Sequence, residues 1–168
     1  MTRHKERLTQ RKVVFRPIDD GDMRWLWAAY QMGTWNDVLT EGLSRDEFST
    51  TVVDLLGAVH HDWMVEVPAG KGLRPIGVIT AMDRFAGHGI EPHVDWFPWA
   101  STRNKLEVSV QFLLKIGHDV KIHLYIREED QKFWHRVWQY KVIKNGCKIS
   151  GCYGVGHDAI YYNTPGPF

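Results

Sequence analysis

The sequence is poor in cysteine and has no long hydrophobic run. Its two cysteines, Cys147 and Cys152, are too few for the disulfide framework of a small secreted protein, and they favour a reducing compartment. No apolar stretch approaches the ~20 residues that cross a bilayer, and the N-terminus lacks the apolar core of a signal peptide. We therefore expect a cytoplasmic protein that makes no use of a membrane.

An excess of charge of either sign is also missing, since 21 Lys and Arg residues stand against 20 Asp and Glu residues. A broad basic face that neutralises phosphates is not expected, which argues against a nucleic acid as partner. Residues 1–12 are the exception, because they hold five cations and one acidic residue. This segment is either a solvated tail or a basic arm that docks on a protein partner.

The size and composition of the chain are those of an ordinary globular protein. A length of 168 residues suits one domain, and a hydrophobic content of 43% is enough for a real core. Eight tryptophans are many for this length, and such rings fill cores first and form recognition surfaces second. No repeat or low-complexity linker interrupts the chain. We predict a single domain over residues 1–168, with residues 1–12 as a basic N-terminal arm.

Local signals predict four helices and seven strands. The clearest helix begins at the capping-box sequence Ser44-Arg45-Asp46-Glu47, and its apolar residues recur on one face. Those apolar residues are Phe48, Val52, Leu55, Leu56 and Val59. The other predicted helices begin near Asp19 or Asp20, near Ser101 or Thr102, and near Asp130. The predicted strands cover 12–16, 62–67, 75–82, 91–99, 119–126, 147–153 and 158–162.

The resulting order is β-α-α-β-β-β-α-β-α-β-β, which predicts an α+β fold with a mixed sheet. Short glycine turns join the second, third and fourth strands, so these are expected to be antiparallel. The unit formed by the fourth strand, the third helix and the fifth strand is expected to be parallel and right-handed. A helix that follows a strand in this way is a natural site for an anion.

Several short sequences resemble those of a known family. Arg16-Pro17-Ile18 is similar to the opening of GNAT N-acyltransferases, residues 75–79 (PIGVI) to their third strand, and residues 144–149 (KNGCKI) to the end of their last helix. The order of elements is also that of the GNAT superfamily, along almost the whole chain. Residues 96–107 (WFPWASTRNKLE) further resemble acyltransferase-like proteins encoded by bacteriophages. The resemblance implies transfer of an acyl group from acetyl-CoA to a small amine.

The resemblance also places a cofactor site at the start of the third helix. In the family, backbone amides of a glycine-rich loop hold the pyrophosphate there. The matching stretch here contains no glycine, but its hydroxyls and cations suit an anion; a plain capped helix is the alternative. The implied cofactor-binding residues are Phe97, Trp99, Ser101, Thr102, Arg103, Asn104 and Lys105.

The implied catalytic residues are His93, Asp95 and Tyr140. Alternation along a strand puts Glu91, His93 and Asp95 on one face, and a histidine suits proton transfer near neutral pH. A partly exposed polar strand face is the alternative. The family's acid tyrosine corresponds to Val142, which leaves Tyr140 as a neighbouring candidate. We expect no metal, because His93 with Asp95, and Cys147 with Cys152, lack further ligands at a confirming spacing.

Two functions remain open at this point. The first is a GNAT-like N-acyltransferase. The second is a catalytically inactive GNAT-fold protein that serves as a structural or adaptor part of a bacteriophage particle. It would dock through the basic arm and an aromatic surface, in the host cytoplasm or in the virion. The missing glycines and the missing tyrosine favour the second, but the first, which follows from the resemblance, is the function that we predict.

Overall fold

The structure is a computed structural model, and it describes residues 12–35, 38–84, 89–116, 120–126, 128–137, 148–155 and 158–164. The strands are Val14–Arg16 (β1), His61–Ala69 (β2), Gly72–Arg84 (β3), Gly89–Trp96 (β4), Lys121–Ile126 (β5), Lys148–Val155 (β6) and Asp158–Thr164 (β7). The α-helices are Met23–Gln31 (α1), Arg45–Ala58 (α2), Thr102–Lys115 (α3) and Gln131–Val137 (α4). Their order confirms the predicted α+β fold class.

Two compact units make up the described chain. The N-terminal unit comprises residues 12–81 and His93–Ser101, and the C-terminal unit comprises the described parts of Met82–Pro92 and of residues 102–164. β3 and β4 contribute residues to both units. The single domain stays a prediction, and residues 1–11 of the basic arm lie outside the described residues.

Side chains cap the 3-10 turn that leads into α1 and the first turn of α2. Asp19 accepts a hydrogen bond from the Gly21 amide and so caps the short 3-10 turn Asp20–Asp22, from which α1 continues. Ser44 accepts from the Glu47 amide, and Glu47 accepts from the Ser44 amide, which is the predicted capping box of α2. Of the described helices, none is long and apolar enough to cross a membrane.

β2 and β3 form an antiparallel hairpin that is longer than the sequence predicts. Ala69 pairs with Gly72, so the turn has two residues, and Gly70 takes a φ of +61° there, which glycine adopts without strain. We expected β3 to begin at Pro75, whereas it begins at Gly72. The register shifts where Glu66 pairs with Pro75, and a bulge of this kind tolerates a proline inside a strand.

The core of the N-terminal unit is built mainly from aromatic and aliphatic side chains on α1, α2 and the sheet. Phe48 and Phe97 are fully buried within it, and their rings contact tryptophans. Its buried members are Leu26, Ala29, Tyr30, Leu39, Phe48, Val52, Met64, Val78 and Phe97, and the half-buried tryptophans on it are Trp25, Trp27, Trp35 and Trp99. Half of the eight tryptophans therefore pack in one core, as the sequence predicts.

An ion network fixes β1 and the 3-10 turn to β2. The Arg16 guanidinium donates two hydrogen bonds of 2.7 Å to the Asp22 carboxylate and one of 3.0 Å to Glu66. Burial alone would raise the pKa of Asp22, but hydrogen bonds from Arg16 and from the Asp19 amide, with the charge of Arg16, hold it below its ordinary value. The ionised pair is thus the stable form at neutral pH.

The strands that contribute to the C-terminal unit pair with one another in the order β4-β5-β7-β6. β4 and β5 are parallel, as predicted, and they pair Gly89 with Lys121 and Ile90 with Ile122. Two pairs form a short ladder for strands of eight and six residues. In α3, every residue from Glu107 to Leu113 is buried, which confirms the predicted deeply packed helix.

We predict that Asp22→Asn lowers the free energy of unfolding by about 2–3 kcal/mol at neutral pH, because it leaves Arg16 with a poorer partner. The lowered pKa of Asp22 means that its contribution is complete above about pH 4 and is lost as the pH falls through the folded-state value. Urea denaturation should therefore show a penalty that shrinks towards pH 3. Asp20→Asn, an exposed neighbour in the same turn, is the control and should change stability by less than about 0.5 kcal/mol. A pH-independent penalty for Asp22→Asn would contradict this account.

Candidate active site

The N-terminal unit contains a cavity of about 150 Å³. Its walls come from the β1–α1 connection, α1, the segment after α1, α2, β3 and β4. The lining residues are Ile18, Leu26, Trp35, Val38, Leu39, Val52, Leu55, Leu56, Val59, Val78, Thr80, His93 and Asp95. Ten of these thirteen residues are apolar, and the three polar ones lie on β3 and β4. The polar lining residues, which form the polar side of the cavity, therefore all lie on the sheet, whereas the apolar ones come from α1 and α2, from the segments that flank them, and from β3.

Two of the predicted catalytic residues, His93 and Asp95, meet at this polar side. His93 Nε2 lies 3.3 Å from Asp95 Oδ1, and their side chains are 68% and 19% exposed, so the imidazole is on the solvent side. An ionised carboxylate only accepts hydrogen bonds, so Nε2 carries the hydrogen in this contact. In a neutral His93 with this contact, Nδ1 is the ring nitrogen that bears no hydrogen, and it acts as an acceptor.

A close contact between β3 and β4 fixes the position of Asp95. A Cβ atom on Gly77 would lie 2.8 Å from the Asp95 carbonyl oxygen and 3.1 Å from Cε3 of Trp96, so a residue with a side chain does not fit there. Just beyond, the Phe97 amide donates to the Ile76 carbonyl at 2.9 Å. The absence of a side chain at position 77 therefore decides where the β4 residues of the site lie.

Trp35, in the segment after α1, lines the cavity with a backbone that tryptophan rarely adopts. Its φ is +66°, which lies in the left-handed region of backbone conformation. Residues other than Gly, Asn and Asp rarely adopt that region. Its carbonyl accepts from the amides of Val38 and Leu39, and its ring meets Phe97 edge-on at 6.3 Å. Backbone strain of this kind is retained where surrounding contacts enforce it, and it is concentrated at functional sites. No sequence pattern indicated this residue.

Phe97 and Trp99, which the resemblance assigned to the cofactor, lie in the core of the N-terminal unit. The Trp99 indole donates to the Pro75 carbonyl at 2.7 Å, and its ring packs on those of Trp25 and Phe97. The Phe97 amide is already bonded to Ile76, so a thioester carbonyl would compete for that hydrogen. A cofactor role for both residues stays a prediction that rests on their position in the chain.

The remaining predicted cofactor residues surround the start of α3. The helix begins at Thr102, which puts Ser101 directly before its first residue. Ser101, Thr102 and Arg103 are exposed, while Asn104 and Lys105 are half-buried. Hydroxyls and cations at the start of a 14-residue helix suit a phosphate even without glycine, so these donors are compatible with a coenzyme A pyrophosphate.

Some predicted residues lie outside the described part of the chain. Tyr140, Val142, Cys147 and His157 belong to this group, and their roles stay predictions. Among the residues that the structure describes, no group of three or more His, Cys, Asp and Glu side chains could hold a metal ion.

Several solved structures share the fold of this chain. A GNAT-family acetyltransferase from Bacillus anthracis matches with a TM-score of 0.55 and 16% identity over 92% of this chain and 95% of its own. The spermidine/spermine N-acetyltransferase SpeG from Vibrio cholerae matches with a TM-score of 0.51 and 15% identity over 93% and 92%. A domain from Methanocaldococcus jannaschii DSM 2661 matches with a TM-score of 0.52 and 17% identity over 92% and 100%. The chain has the GNAT acetyltransferase fold. No family model and no curated protein matches its sequence.

We predict that Gly77→Ala displaces β4 at Asp95 and lowers stability by about 1–3 kcal/mol, because the new methyl group meets backbone atoms that cannot move alone. Gly57→Ala is the matched control, since Gly57 lies inside α2 with no atom within 4 Å of the added methyl group. There the same change should stabilise the protein by about 0.4–1 kcal/mol. Urea denaturation of both variants checks this, and equal effects would contradict the close contact.

Proposed function

We propose that this chain is an N-acyltransferase that transfers an acyl group, such as acetyl, from acyl-coenzyme A to a primary amine. The observation that carries the proposal is the His93–Asp95 pair on the polar side of a mostly apolar cavity. The GNAT fold supports it, because the solved structures that share this fold include acetyltransferases from two bacteria. Fold alone does not determine an activity, so the pair and the cavity bear most of the argument.

His93 and Asp95 have different roles in the deprotonation of the amine. An aliphatic amine is protonated at neutral pH and must lose a proton before it can attack a carbonyl. The Asp95 carboxylate orients the imidazole through Nε2 and stabilises the imidazolium that forms. His93 Nδ1 takes the proton from the amine. The cavity holds the rest of the amine, which fixes the nitrogen near this base.

Acyl-coenzyme A supplies a thioester whose C–S bond breaks as the amide C–N bond forms. In this chain, Thr102, Arg103 and Lys105 would hold its phosphates through a hydroxyl and two cations. In this chain, side chains would therefore bind the phosphates that the backbone amides of a glycine-rich loop bind in the GNAT family. Tyr140 is proposed as the group that returns a proton to the departing thiolate.

The second candidate is the catalytically inactive structural or adaptor protein, which would be part of a bacteriophage particle. The observation that favours it is the lack of glycine in residues 99–105, where backbone amides would otherwise approach a phosphate. Its docking segment would be the basic residues 1–12, together with exposed aromatic surface. Calorimetry with acetyl-CoA separates the two candidates, because the adaptor needs no affinity for it.

We predict that His93→Gln lowers kcat/KM for acetyl transfer to an amine by about 10²- to 10⁴-fold, the usual contribution of a general base. Because the His93 side chain is largely exposed, the thermal midpoint should not change. His60→Gln is the control, since His60 is exposed and is not among the residues that line the cavity. An unchanged rate in His93→Gln would remove His93 from the chemistry.

We further predict that Arg103→Ala/Lys105→Ala weakens acetyl-CoA binding about 5- to 150-fold, the range that corresponds to about 1–3 kcal/mol for charge-assisted hydrogen bonds. Isothermal titration calorimetry measures the dissociation constant. Arg45→Ala/Lys115→Ala removes the same charge elsewhere and should leave it unchanged at physiological salt. Equal losses in both double variants would mean a general charge effect and no phosphate site at α3.

A further inference from the structure

The chemistry of the cavity indicates which amine it accepts. We infer that the acceptor is a primary amine whose substituent is apolar and about the size of a benzene ring, with its nitrogen at His93 and Asp95. This inference rests on the proposed function for the acyl transfer, but it concerns binding of the amine alone. The juxtaposition that carries it is one carboxylate and one imidazole on β4, in a cavity whose other lining residues are apolar apart from Thr80.

The volume of the cavity sets the size of the substituent. The cavity volume of about 150 Å³ is that of an apolar cavity that binds benzene, and ten of the thirteen lining residues are apolar. α2 contributes three apolar residues to the lining, Val52, Leu55 and Leu56, and Trp35 from the segment after α1 lines the cavity as well. Leu55 is 42% exposed, so its side chain is accessible to a ligand.

The charge distribution selects a monoamine. Among the described lining residues, Asp95 is the one carboxylate, and it lies on the same strand as the imidazole. One ammonium group therefore finds a partner at the polar side. A second ammonium at the far end of a diamine would be buried against leucine and valine side chains, which costs far more than it gains. The arrangement thus favours phenethylamine over 1,4-diaminobutane.

Direct binding to the full-length protein tests the inference. Phenethylamine and 1,4-diaminobutane are titrated separately by calorimetry, each with and without coenzyme A. We expect phenethylamine to bind at least about tenfold more tightly, the factor supplied by burying two or more CH₂-sized groups. Equal or tighter binding of 1,4-diaminobutane, or no binding of phenethylamine in either condition, would overturn the inference.

A pair of variants on one helix locates the binding. Leu55→Gln makes a cavity wall polar and should weaken phenethylamine binding several-fold. Val53→Gln is the matched control, because Val53 is 59% exposed on the same helix and does not line the cavity in the described structure. It should leave binding unchanged. Equal effects of the two changes, with unchanged thermal midpoints, would place the ligand elsewhere and overturn the inference.

The outcome for the amine is separate from the outcome for the reaction. If phenethylamine binds through Leu55 but no transfer occurs, the substrate class stands and the proposed acyltransferase fails. If transfer occurs only to 1,4-diaminobutane, the acyltransferase stands and the apolar substrate class fails.

Discussion

The close approach of β4 to β3 at Gly77 is the constraint on which the candidate site depends. With no side chain at position 77, the Asp95 carbonyl and the Trp96 ring occupy space that any other residue would fill. The Phe97 amide is then in position to bond to Ile76, and the Phe97 ring reaches the aromatic core. This placement of β4 fixes the position of Asp95. It also fixes the position of His93, because the two residues lie on the same face of the strand.

The aromatic core of the N-terminal unit also supports the candidate site. Phe48 and Phe97 are fully buried between tryptophans, and Trp35 extends from this core to the cavity. Trp35 holds a left-handed backbone that costs energy by itself, and the ring contacts with Phe48 and Phe97 offset that cost. The same packing that stabilises the N-terminal unit therefore shapes the wall of the site. A change in either phenylalanine would affect stability and ligand binding together.

The sequence predicted the features that local chemistry determines. Ser44 and Glu47 satisfy the free amides of one helix start, and this signal needs no knowledge of the rest of the fold. Alternation along β4 placed His93 and Asp95 together for the same reason. The element order then led to the GNAT fold through resemblance. The roles of the residues in catalysis and cofactor binding stay predictions.

The features that the sequence did not predict depend on contacts between distant segments. The cavity forms only where α2, β3 and β4 come together. No local sequence signal indicates that Leu55 lines the cavity while Phe48, seven residues earlier, is buried in the core. The Trp99 indole bonds to the Pro75 carbonyl, 24 residues away, and no local pattern indicates that contact. The sequence predicted too short a β3, because a proline such as Pro75 usually marks the end of a strand. The bulge opposite Glu66 accommodates this proline, and only the structure shows that bulge.

The most direct test of the central claim is to incubate the full chain with acetyl-CoA and phenethylamine and to identify the products by mass spectrometry. The account predicts N-acetylphenethylamine and free coenzyme A in equal amounts, formed at a rate that increases with protein concentration. If acetyl-CoA and phenethylamine both bind and the amide does not exceed the protein-free control, the chain is not an acyltransferase for this class of amine.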